Sequence, residues 1–173
     1  MRVLMVSDVY FPRVNGVSTS IETFRHTLAG QGVEVRLVVP RYADEGEAPG
    51  IVRVPGRPVP RDPEDRLVGW RAMHRAVLEA AADCDLIHVQ TPFIAHYAGL
   101  KAARRLGLPV LATYHTLFEE YIEYYAPFLP GSWLRSHARR LSRSQCNALD
   151  AVVVPSTAMR QRLSDYGVNV PMH

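Results

Sequence analysis

Short apolar runs alternate along this chain with longer stretches whose apolar residues recur at helical spacing. The runs are Val3 to Val6, Val33 to Val39, Ile51 to Val54, Leu86 to Val89, Val110 to Thr113 and Ala151 to Val154. They read as strands buried on both faces, as in a parallel sheet covered by helices on its two sides. Between them, Val17, Ile21, Phe24 and Leu28 share one helical face, as do Met159, Leu163 and Tyr166. This βαβα alternation predicts an α/β fold, a Rossmann-like doubly wound parallel sheet.

Punctuation residues agree. Gly30 and Gly32 close the first helix, Gly107 and Pro109 separate a helix from the next strand, and Ser156 is placed to cap the helix after Pro155. The stretch from Asp44 to Asp65, rich in proline, glycine and acids, is expected to hold one short strand and otherwise to be loop. From Gly131 to Leu149 the spacing predicts an amphipathic helix whose inner stripe is Leu134, Ala138, Leu141, Gln145 and Leu149. After a helix ending near Gly167, residues Asn169 to His173 look like the opening of a further strand, and a second domain is expected beyond it.

Composition narrows the function. With 173 residues and 47% hydrophobic, residues 1–173 suffice for one core and are expected to form one domain. A net charge of +3 spread along the chain argues against a dedicated nucleic-acid binder, so no nucleic-acid partner is expected. Lys101 is the only lysine, which leaves one candidate, on a predicted helix, for Schiff-base or phosphate-binding lysine chemistry. Cys84 and Cys146 have no metal-ligand spacing and are expected to pack inside as free thiols. The apolar run at the N-terminus is too short for a signal peptide or a membrane span. The expected location is the cytoplasm, with peripheral attachment to the inner face of the membrane as the alternative.

In a doubly wound sheet ligands bind beyond the carboxyl ends of the strands. After the first strand comes Ser7-Asp8-Val9-Tyr10-Phe11-Pro12-Arg13-Val14-Asn15-Gly16-Val17, with Gly16 at the start of a helix. Glycine there admits close approach of a ligand, and the free N–H groups of Asn15, Gly16 and Val17 suit a diphosphate. Asn15-Gly16 is equally a turn before a helix. No G-x-G-x-x-G is present, and Arg41 rather than an acid follows the second strand, which removes the NAD-binding reading. Two later strands end in His88-Val89-Gln90-Thr91-Pro92-Phe93 and Thr113-Tyr114-His115-Thr116. His115, at a strand's carboxyl end among hydroxyls and carboxylates, is the candidate catalytic residue, able to donate to a sugar hydroxyl or a phosphate oxygen; a structural imidazole is the alternative. Glu119 and Glu120 are rivals for that role, or the acidic first turn of a helix. On the Gly131–Leu149 segment, Arg135, Arg139, Arg140 and Arg143 lie opposite the apolar stripe with Trp133 near them. Such a face sits on anionic headgroups, or is simply solvated.

Ser7 to Ser20, Asp85 to Phe93, Thr113 to Thr116 and Ala151 to Ser156 together resemble the N-terminal domain of family 4 retaining glycosyltransferases, over essentially the whole chain. The likeness is greatest to bacterial members that glucosylate or mannosylate lipids. It implies one half of a two-lobed GT-B fold, with the sugar nucleotide held mainly by the absent C-terminal lobe. It further implies that Gly16 approaches the donor diphosphate and that His115 contacts the donor sugar. Tyr10, Arg13, Thr91, Phe93, Tyr114 and Glu119 would shape the acceptor site. The partners implied are a nucleotide-diphosphate sugar as co-substrate, a lipid or saccharide acceptor, the chain's own C-terminal domain and an anionic membrane surface. No resident cofactor and no metal are implied, and residues 1–173 alone are expected to be inactive. A nucleotide-sugar epimerase or a non-catalytic binding module of Rossmann type are the rival readings.

Overall fold

A computed structural model describes residues 1–43, 45–46, 48–59, 62–115 and 131–173, the side chains of 131–133 excepted. The chain divides into two compact units, Met1–Leu111 and Ala112–His173.

In the first unit the strands are β1 (Arg2–Val6), β2 (Glu34–Arg41), β3 (Ile51–Val59), β4 (Asp62–Val68) and β5 (Leu86–Val89), and β6 (Val110–Thr113) begins at its end. They lie in the order β4-β3-β2-β1-β5-β6. β1 pairs in parallel with β2 and β5, and β2 with β3, at registers such as Met5 opposite Leu37 and opposite His88. Three helices intervene: α1 (Gly16–Ala29), α2 (Trp70–Ala80) and α3 (Ile94–Leu106). Val3 to Val6 are all buried, as both faces of a central parallel strand require. Val3 and Met5 pack with Leu37, Val39, Tyr10 and Ile21, against which Val17, Phe24 and Leu28 of α1 are laid.

α3 packs closely because Gly99 has no side chain. A Cβ there would stand 2.9 Å from Val89 Cγ2. The helix ends on Gly107, left-handed at φ 67°, whose N–H donates to Ala103 O.

The stretch expected to be one short strand and loop is instead a β-hairpin. β3 runs for nine residues and pairs antiparallel with β4. Pro55, Pro58 and Pro63 conceal it in the sequence because proline cannot donate to a ladder; Pro63 is tolerated on the edge strand β4, and Pro55 and Pro58 where the pairing of β3 with β2 ends and beyond it. Gly56 permits the approach, since a Cβ would lie 3.2 Å from Leu67 O. The candidate strands at Leu86 and Val110 are accordingly the fifth and sixth of the chain.

In the second unit the end of β6 runs beside β7 (Ala151–Val153), where Tyr114 N–H donates to Val153 O at 2.9 Å. The C-terminal residues do extend this ladder: Val152 bridges Met172 in parallel, and Val152 N–H donates to Pro171 O at 2.9 Å. The helices are α4 (Gly131–Cys146) and α5 (Thr157–Asp165). Ser156 caps α5 as expected, its Oγ accepting from Met159 N–H at 3.2 Å. On α4, which ends at Cys146 and not at Leu149 as expected, Leu134, Ala138 and Gln145 are buried, as is Leu149 beyond its end, but Leu141 is turned outward at 39% exposure. Ser142 takes the inward place because its hydroxyl meets the Tyr114 phenol at 2.9 Å. Cys84 and Cys146 are both buried free thiols, and burial pushes the Cys146 thiol up to about 12.

Candidate functional site

Parallel pairing of β1 with β5 brings the loop after each to the same edge of the first unit. There the Asp8 carboxylate accepts the Thr91 hydroxyl at 2.7 Å, while the Asp8 N–H donates to that same hydroxyl oxygen at 2.7 Å. Both carboxylate oxygens also accept from the Ala95 N–H at 3.1 Å. Phe93, at the N-cap of α3, offers no side-chain acceptor, so Asp8 supplies the cap from the loop after the neighbouring strand. Burial raises the Asp8 carboxyl to about 6, against the Thr91, Ala95, Ile94 and Phe93 bonds, which pull it down. Asp8 was not singled out from the sequence, because its partners are more than eighty residues away.

Along the first loop, Asn15 is the N-cap of α1, with its Oδ1 accepting from Ser18 N–H at 2.8 Å. Its side chain is thereby committed to shaping the helix start. Val17 is half-buried against the core, which leaves its backbone as what a ligand can use. Gly16 is exposed, and a Cβ built on it would meet nothing within 4 Å. Neither packing nor a left-handed backbone calls for glycine at this position. What its lack of a side chain does provide is open space directly over a helix N-terminus.

Tyr10 is a core residue. Its hydroxyl donates to the Glu22 carboxylate and accepts from Arg25 at 3.1 Å, and Arg53 lies over its ring at 5.3 Å. Arg13 is held by the hairpin, its Nε 3.2 Å from Asp65 Oδ1, a terminal nitrogen 3.8 Å from Asp62 Oδ2, and another paired with Glu64. Thr91 is buried beneath Asp8, whereas Phe93 stands out at 59% exposure.

In the second unit, Tyr114 is buried with its phenol on Ser142. His115 follows β6 and is half-buried, and burial lowers its pKa, so near neutral pH it is an uncharged imidazole that can donate from one nitrogen and accept at the other. Glu119 and Glu120 lie outside the described residues, as does the Trp133 side chain. Arg135, Arg139, Arg140 and Arg143 are all exposed on α4. Among the described residues no helix is long and apolar enough to cross a membrane.

The sequence pattern of Glycosyltransferase Family 4 matches residues 14–173. The chain belongs to glycosyltransferase family 4. Within the family, it is 38% identical to an alpha-monoglucosyldiacylglycerol synthase of Streptococcus pneumoniae, over 98% of this chain and 38% of that protein. It is 31% identical to a GDP-mannose-dependent alpha-mannosyltransferase of Mycobacterium tuberculosis, over 97% of this chain and 45% of that one. The family 4 chain thus spans less than half the length of these curated relatives. Its fold is shared with the Anabaena protein HepE crystallised with UDP-glucose, at a TM-score of 0.65 and 13% identity, over 100% of this chain and 43% of that one. A fragment of sucrose-phosphate synthase from Thermosynechococcus elongatus shares it at a TM-score of 0.61 and 13% identity, over 99% of this chain and 86% of that one. These likenesses show that the family 4 chain has the same α/β, Rossmann-like fold as parts of those proteins.

Proposed function

We propose that this chain is the N-terminal, acceptor-side domain of a retaining glycosyltransferase that moves a hexose from a nucleotide-diphosphate sugar to a hydroxyl of a lipid acceptor. The observation that carries the reading is Gly16, a helix-start glycine that neither packing nor backbone geometry calls for. The N–H groups that open α1 then receive a diphosphate, and a preorganised dipole there stabilises charge as the nucleotide departs. His115, uncharged near neutral pH, donates to a hydroxyl of the donor sugar beside the reacting carbon. Attack by the acceptor hydroxyl on the face the diphosphate leaves gives retention. Phe93 presents an apolar contact suited to a lipid acceptor. The groups that complete the diphosphate clamp belong to a C-terminal lobe, so residues 1–173 alone are expected to bind weakly and turn over nothing.

A lipid acceptor calls for work at a bilayer surface, and the exposed arginine face of α4 suits peripheral contact with anionic lipid on the cytoplasmic side. The relatives named for monoglucosyldiacylglycerol synthesis support the lipid acceptor. The test is to incubate the full-length protein with nucleotide-diphosphate hexoses and diacylglycerol or monoglucosyldiacylglycerol in detergent micelles, and to follow the product by NMR. The expected product is an α-linked glycolipid. A β-linked product would overturn retention, and interconversion of the donor without transfer would show an epimerase. Charge reversal at Arg139 and Arg140 is expected to weaken binding to anionic liposomes, and unchanged binding would remove the membrane contact.

A further inference from the structure

The four arginines of α4 do not simply fan into solvent. Arg135, Arg139, Arg140 and Arg143 line a cavity of about 370 Å³ together with Ser136 of the same helix and Asp165 and Tyr166 at the end of α5. All of these residues belong to the second unit. The volume is in the range of small-molecule sites.

Two of the guanidinium groups are positioned by the fold. Arg139 lies over the Tyr166 ring at 5.5 Å. Arg143 lies across Gly167, whose left-handed φ of 86° ends α5; a Cβ at that glycine would come 3.1 Å from Arg143 Cδ. Arg143 is thus set at the C-terminal end of α5, where a cation is favoured. The carboxylate among the lining residues, Asp165, accepts from Gln161 Nε2 at 3.0 Å. Arg140 and Arg143 form no ion pair with a carboxylate among the described residues. Arg140 and Arg143 therefore bring to the cavity two guanidinium groups that no carboxylate among the described residues pairs with, a charge that suits an anion.

We infer that the cavity between α4 and α5 is a binding site for a phosphate monoester, gripped by Arg140 and Arg143 with Arg135 and Arg139 at its rim. Guanidinium forks match phosphate oxygens two at a time. A monoester carries about 1.5 to 2 negative charges near neutral pH, which suits this lining better than the single charge of a phosphodiester. The phosphate can come from a lipid headgroup or from a free phosphate compound. The inference rests on the proposed anion-facing role of α4, and it replaces a diffuse attraction with a discrete site.

The test uses the full-length protein. Inorganic phosphate is titrated by calorimetry, and vesicles of phosphatidylcholine containing phosphatidic acid or phosphatidylglycerol, matched in surface potential, are compared by flotation. Saturable phosphate binding is expected, weakened about tenfold for each arginine removed in Arg140→Gln and Arg143→Gln, the loss of one charge-assisted bond. The double variant Arg104→Gln/Arg105→Gln on α3 removes the same charge elsewhere and is expected to bind as the parent does. Preference for phosphatidic acid over phosphatidylglycerol vesicles assigns a lipid source; phosphate binding without vesicle binding keeps the site, assigns a free phosphate source and removes the membrane reading. Vesicle binding that ignores headgroup type, with no phosphate binding, overturns the site and leaves the basic face standing. Equal losses in the α3 and α4 variants also overturn it.

Discussion

The Thr91 hydroxyl both receives the Asp8 N–H and donates to the Asp8 carboxylate, at 2.7 Å in each case, across the ends of two adjacent strands. This pair ties the loop after β1 to the loop after β5 and holds a carboxylate at the start of α3. Burial makes a carboxylate a costly cap, and it raises the Asp8 pKa accordingly.

Because the folded Asp8 carboxyl sits at about 6, above its unfolded value near 3.9, folding is favoured by its protonated form. Its contribution is fully present below about pH 4 and is lost as pH rises through about 6. Relative to Asp8→Asn, the parent should gain urea resistance between about pH 7 and about pH 5. Thr91→Val removes a bond that lowers the pKa, so the onset of that gain should move to higher pH. A parent and Asp8→Asn that respond identically to acid would contradict the assignment.

Gly99→Ala should destabilise the protein although alanine is the better helix former. The helical gain is up to about 1 kcal/mol. The new methyl would meet Val89 Cγ2 at 2.9 Å, and overpacking costs about 1 to 3 kcal/mol. Chemical denaturation should show a net loss, whereas a more stable Gly99→Ala would mean that α3 can move off the sheet freely.

Gly16→Ala should leave stability unchanged. Its Cβ meets nothing, so the urea midpoint should stay within an equivalent of about 0.5 kcal/mol of the parent. In the full-length enzyme the donor KM should rise at least several-fold while the acceptor KM stays put. Normal donor kinetics in Gly16→Ala would remove the diphosphate from this helix start.

Arg13→Gln releases the β1–α1 loop from Asp62, Glu64 and Asp65. These groups are partly exposed, so the stability change should be about 1 kcal/mol or less. Faster proteolysis within the β3–β4 hairpin, with a raised acceptor KM, is the expected signature. Unchanged cleavage would show that the hairpin is held without Arg13.

Much of this molecule was legible in the chain. The apolar runs located the parallel strands because a strand buried on both faces has little choice but to be apolar throughout. The positions of Gly16 at a helix start, of His115 after a strand and of the four arginines on the exposed face of α4 were legible too. The hairpin at β3 and β4 was not, since prolines and charges in the edge strand and its neighbour erase the pattern, and its identity lies in pairing such as that of Gly56 with Val68. Leu141 misled for a related reason. Helical spacing marks an apolar stripe, but the buried Tyr114 hydroxyl needs a polar partner, and Ser142 supplies it from the inner side. Tertiary structure alone decided that Arg13 meets the hairpin acids, that Arg143 lies over Gly167, and that Asp8 caps a helix that begins more than eighty residues later. Local periodicity follows from short-range geometry and is written residue by residue, whereas ion pairs and remote caps depend on where distant strand ends meet, which only the folded sheet determines.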